Sequence, residues 1–166
     1  MSLVTRRTVL RLLGTSAAVA GGAGLVAANE YDNSDLNKDL ATVRRATKQY
    51  HDEETAIEDG YVRDDHCVSN PFGEGAMGYH YVNFGLVDDS VDLENPEGLV
   101  YEERGGKRHL VAVEYISTSP FTLFGRESHP PNAVPFYTLH VWVWKANPEG
   151  TFADFNPTVR CPPEHA

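Results

Sequence analysis

Apolar side chains recur at three- and four-residue steps through Leu36, Leu40, Val43, Thr47, Tyr50 and Ile57, while Asp39, Arg44, Arg45, Lys48, Asp52, Glu53 and Glu58 occupy the other sides. That spacing predicts one long amphipathic helix. Ser34 is its expected N-cap, with Asp35 in the first turn, and Gly60 closes it as a C′ residue. Beyond Gly60 the texture changes. Tyr61-Val62 reads as a short extended piece, and Pro71, Gly73, Gly75 and Gly78 punctuate the loop that follows. Residues 79–87, 99–102, 109–116 and 136–145 are rich in valine and aromatic side chains and read as strands. Arg104-Gly105-Gly106-Lys107 signals a hairpin between the second and third. Pro120, Pro130, Pro131 and Pro135 make 117–135 a loop, Asn147-Pro148-Glu149-Gly150 a turn, and 151–161 a short extended tail. The expected class is α+β: one long N-terminal helix packed on an antiparallel sheet or partly closed barrel.

Strand parity locates the candidate chemistry. In 136–145 one face carries Tyr137, Leu139, Val141 and Val143, and the other Phe136, Thr138, His140, Trp142 and Trp144. His80 shares a face with Val82 and Phe84, and Glu114 with Leu110, Ala112 and Ile116. Each of three strands thus sets one titratable group on a largely apolar face. A buried carboxylate needs a cation or hydrogen-bond donors, and His80 and His140 are the candidates to meet Glu114. A His/Glu/His set suits a divalent transition metal (zinc, copper or iron) with open positions for water or a ligand. His66 or Asp65 could add a fourth donor. The same trio without metal is a hydrogen-bonded network that fixes the sheet. With Glu114 as general base and a histidine as acid, it is an isomerase- or hydrolase-type site. Gly73-x-Gly75-x-x-Gly78 lacks the strand-turn-helix context of a dinucleotide fingerprint. His51, His109, His129 and His165 read as solvated.

The first 28 residues read as an address. Arg6-Arg7 precede an acid-free, Ala/Gly-rich stretch that ends in Val26-Ala27-Ala28, the pattern of a twin-arginine signal cut after Ala28. The Tat translocase is the expected partner during export. The stretch is too weakly apolar and too rich in glycine for a stable membrane span, so residues 29–166 form a single domain outside the cytoplasmic membrane. Without the segment, 11 basic and 24 acidic side chains remain, a net charge of −13. No basic stripe exists to displace counterions from phosphates, which excludes nucleic acid. Only four lysines occur (Lys38, Lys48, Lys107 and Lys145), and such an acidic, lysine-poor surface suits solubility at high salt. Cys67 and Cys161, in an oxidising compartment, are expected to pair, with two metal-binding thiolates as the alternative.

Several strings together resemble a widespread group of small exported microbial proteins. They are Cys67-Val68-Ser69-Asn70-Pro71, Met77-Gly78-Tyr79-His80-Tyr81-Val82-Asn83, Val113-Glu114-Tyr115 and Leu139-His140-Val141-Trp142-Val143-Trp144. Asn147-Pro148-x-Gly150-x-Phe152 and Asn156-Pro157-x-Val159-x-Cys161 complete the set. The resemblance spans roughly residues 41–161, with Glu74 in the glycine loop as a departure. It implies the domain limits and marks the same His, Glu and Cys positions, and it supplies no substrate. The expected roles are binding a metal or small ligand, acid–base catalysis in the same pocket, or a non-catalytic part in the cell envelope.

Overall fold

The computed structural model describes residues 31–163. The expected signal segment, with Arg6 and Arg7, and His165 lie outside them. The described chain is α+β. Its helical part comprises α1 (Asn33–Thr47), a 3-10 turn (Lys48–His51) and α2 (Glu53–Glu58). Seven strands follow: β1 (Cys67–Ser69), β2 (Ala76–Val82), β3 (Gly98–Arg104), β4 (Lys107–Ser117), β5 (Thr122–Leu123), β6 (Arg126–Glu127) and β7 (Tyr137–Val141). Five make one antiparallel sheet in the order β1-β2-β3-β4-β7, curled into a half-barrel; β5 and β6 pair separately.

The single long helix is not present. Asp32, not Ser34, caps α1, its carboxylate accepting from the amides of Ser34 and Asp35 at 2.6 and 2.9 Å. Helical geometry fails at Thr47 and Asp52. Asp52 takes an extended conformation and caps α2 by accepting from the Glu54 amide. The Tyr50 carbonyl is diverted to the Tyr101 hydroxyl at 2.8 Å. Aspartate competes well for helix starts and poorly for helix interiors, so the continuous hydrophobic spacing masked a real break. The break resets the phase: Ala56 is buried and Ile57 is exposed.

The strands fall where the apolar runs do, with shifted ends. Arg104 pairs with Lys107 across Gly105 and Gly106, whose φ values of 61° and 73° suit a tight hairpin turn. The expected loop 117–135 carries the β5–β6 hairpin. β7 stops at Val141, where the Val143 amide turns back to the Val141 carbonyl. The turn splits the two tryptophans that strict alternation placed on one face. Trp142 stays beside His140, while Trp144 crosses to the helices and donates to Thr47 Oγ1 at 3.1 Å. A bulge changes parity in β4 as well. Val100 pairs with Ala112 but Tyr101 with Leu110, leaving Val111 as the extra residue. Leu110 therefore joins the core under the helices, opposite Glu114.

That core is rich in tyrosine. Leu40, Val43 and Ala56 pack with Tyr61, Tyr79, Tyr81, Leu99, Tyr101, Val113, Tyr115, Leu139 and Val141. Four of the hydroxyls act as tethers: Tyr81 to Glu53 Oε1 (2.6 Å), Tyr101 to the Tyr50 carbonyl (2.8 Å), Tyr61 to Pro96 (2.6 Å) and Tyr115 to Leu93 (2.8 Å). Each buries an aromatic body and satisfies its polar tip on a helix or on the loop before β3. The other face of the sheet packs Ala76, Val100, Val111, Ala112 and Trp142 against Val159 of the tail. The Cys67–Cys161 disulfide, with Cα atoms 5.6 Å apart, fastens that tail to β1. Among the described residues, no helix is long and apolar enough to cross a membrane.

Candidate metal centre

His80, Glu114 and His140 come from β2, β4 and β7, and all three project from the face opposite the helices. Adjacent strands lie about 4.8 Å apart, so β2 and β7 are separated by roughly 14 Å in a flat sheet. The curl of the sheet closes that distance. Gly98 of β3 stands directly opposite Glu114, and Glu114 directly opposite His140. A Cβ on Gly98 would lie 3.1 Å from Glu114 Cβ and 3.3 Å from its carbonyl oxygen. Glycine at this position leaves room for Glu114.

The three groups meet. His80 Nε2 lies 3.1 Å from His140 Nε2 and 3.7 Å from Glu114 Oε2, and Glu114 Oε1 lies 3.5 Å from His140 Nδ1. Both carboxylate contacts are longer than a direct hydrogen bond. Taking one donor atom from each residue, all lie within 4.8 Å of one another. Four donors 2.0–2.2 Å from a tetrahedral ion are separated by about 3.4 Å; the closest pairs here, 3.1–3.7 Å, use Nε2 of His140 toward His80 and Nδ1 toward Glu114. The side chains are well covered, with 3 % of His140, 10 % of Glu114 and 15 % of His80 exposed.

Burial sets the protonation of the trio. It pushes both imidazoles down to about 4, against opposing pulls from Glu114 on His80 and from Asp154 on His140. Both rings are therefore neutral at pH 7 and keep a lone pair for coordination. Burial also raises the Glu114 carboxyl, which nearby His80 opposes and Asp154 reinforces. Trp142 lies nearly parallel to the His140 ring at 6.5 Å, held by its Nε1 donating to the Ala153 carbonyl at 2.6 Å.

His66 is not brought into the cluster. It is exposed before β1, its amide donating to Asp64 at 2.8 Å. Asp65 pairs instead with Arg63 and Arg108. Cys67 and Cys161 are joined to each other, which removes the thiolate alternative. The histidines read as solvated are more varied. His51 meets the Trp144 ring edge-on at 4.3 Å, and His109 is half-buried in β4. His129 pairs with Asp154 at 3.1 Å, in a segment bridged to Thr138 of β7. Sequence reasoning missed Gly98 and Asp154. A glycine opening an apolar strand is a signal for close approach; Asp154, in an irregular tail, has none. Gly75 and Gly78 prove to be packing positions. With positive φ, each would drive a Cβ to within 2.4 Å of a carbonyl oxygen, on Asn156 or Tyr101.

No protein family, curated protein or solved structure matches this chain.

Proposed function

We propose that the chain is exported through the Tat translocase and, once folded, binds a divalent transition metal through His80, Glu114 and His140. The observation that carries the metal reading is the Glu114 carboxylate. It stands 3.7 Å from His80 Nε2 and 3.5 Å from His140 Nδ1, with neither contact short enough to be a hydrogen bond, and one donor atom from each residue lies within 4.8 Å of the others. The carboxylate keeps only slight contact with solvent, its side chain 10 % exposed, and a cation at the common point would compensate its charge better. Zinc, with its His/His/carboxylate sites, and iron(II), with the two-His-one-carboxylate set, both suit these donors. Export is supported by the Arg6-Arg7 signal pattern and by the disulfide, a bond that persists in oxidising compartments.

Metal analysis of the purified, disulfide-bonded protein tests the reading. About one equivalent of zinc or iron is expected, falling to near zero in Glu114→Gln, which keeps the shape and removes the charge. Full occupancy in that variant would refute the assignment of Glu114. A metal-free acid–base enzyme is the second reading, favoured by burial that raises the Glu114 carboxyl above its ordinary range, the direction in which catalytic carboxyl groups are tuned.

A further inference from the structure

We propose that the His80–Glu114–His140 centre keeps one coordination position open on its β2 side, and that this position takes a small anionic donor such as a carboxylate or azide. The inference rests on the metal reading above and adds the ligand.

The donor count is the first argument. Among the described residues the cluster supplies three donors, one atom each. Zinc and its relatives take at least four, and a site with three protein ligands fills the fourth from solvent or substrate. His66, the expected fourth donor, lies outside the cluster, its backbone engaged by Asp64.

Graded burial gives the direction. His140 is the deepest of the three and is flanked by Trp142, whose indole is fixed to the Ala153 carbonyl. His80, with 15 % of its side chain exposed, is the least covered, which points to the β2 side as the open one.

Charge gives the class. Two neutral imidazoles and one carboxylate leave a divalent ion with net charge of about +1 in a poorly solvated setting. An anionic oxygen or nitrogen donor completes both the shell and the charge balance.

Cobalt(II) substitution of the full, disulfide-bonded chain tests this, because visible d–d bands report coordination directly. Titration with sodium azide is expected to shift and saturate the bands. His66→Ala, an exposed substitution, is expected to leave cobalt affinity and the azide response unchanged. His80→Ala is expected to weaken cobalt by roughly 100-fold or more, since even outer partners of a metal ligand are worth 10–100-fold. Circular dichroism confirms that both variants are folded. Bands indifferent to azide would mean a complete shell and overturn the open position while leaving the metal reading intact. Weaker cobalt binding in His66→Ala would put His66 in the fourth place, with the same consequence. No cobalt uptake by the folded wild type would remove the metal reading, and this inference with it.

Discussion

Replacing Glu97 by glutamine should strengthen the protein above neutral pH, by an amount that follows from its surroundings. Glu97 is 2 % exposed and precedes β3, and its Oε2 accepts from the Ile116 amide at 2.9 Å. Burial pushes its carboxyl from an ordinary 4.5 up to about 7; that hydrogen bond opposes the rise, and Asp88 and Asp92 add to it. The folded state therefore holds a proton that the unfolded chain has already released. Stability is lost as pH climbs from about 4.5 to about 7, and the full deficit persists above that window. At about 1.4 kcal/mol per pH unit of separation the upper bound is about 3 kcal/mol. Glutamine accepts the same Ile116 hydrogen bond and never ionises. Urea midpoints of the two proteins should coincide near pH 4.5 and diverge toward pH 8, the variant being higher by about 1–2 M for ordinary urea slopes. His80, His140 and Glu114 titrate in both proteins, so the difference isolates Glu97. Parallel pH curves, or a gap that widens toward acid, would refute the reasoning.

Two further substitutions probe the scaffold. Serine at both Cys67 and Cys161 opens a loop with sequence separation 94, and chain entropy puts the loss at about 4.6 kcal/mol. A denaturant midpoint that does not move would show that Asn156 and Val159 already hold the tail. Gly98→Val should cost about 1–3 kcal/mol by overpacking against Glu114. The displaced carboxylate should weaken zinc by at least 10–100-fold in isothermal titration. Wild-type affinity in that variant would mean that Glu114 is not a ligand.

Much of the architecture was legible because period and punctuation are local properties. The four main strands, the Gly105-Gly106 turn and the stop at Gly60 each stand in their own few residues. The unread features depend on neighbours. The helix breaks at Asp52 partly because Tyr101, 51 positions away, takes the Tyr50 carbonyl. Leu110 changes face because of a bulge at Val111, and Trp144 because β7 ends one residue after His140. For the candidate centre, parity picked out three side chains that the fold brings together. It could not supply their convergence, which comes from the curl of the sheet. Asp154 reaches the same neighbourhood through irregular tail, where no periodicity applies.

Each donor sits between two fully packed neighbours, and this bears on how the centre works. His80 lies between Tyr79 and Tyr81, Glu114 between Val113 and Tyr115, and His140 between Leu139 and Val141. All six flanking residues are 1 % exposed or less. Alternation along a strand lets one backbone segment lock its odd positions into the tyrosine core and present its even position to the opposite face. The tethering hydroxyls of Tyr81, Tyr101 and Tyr115 add directional hold on the core side, so the Cα atoms carrying the donors are fixed independently of whatever lies between them. A metal entering such a site does not have to order the chain, in contrast to centres whose ligands come together only on binding. The three side chains meet because the core on the far side of the sheet fixes their strands, and the same separation of faces lets one of them be changed while the fold keeps its main apolar contacts.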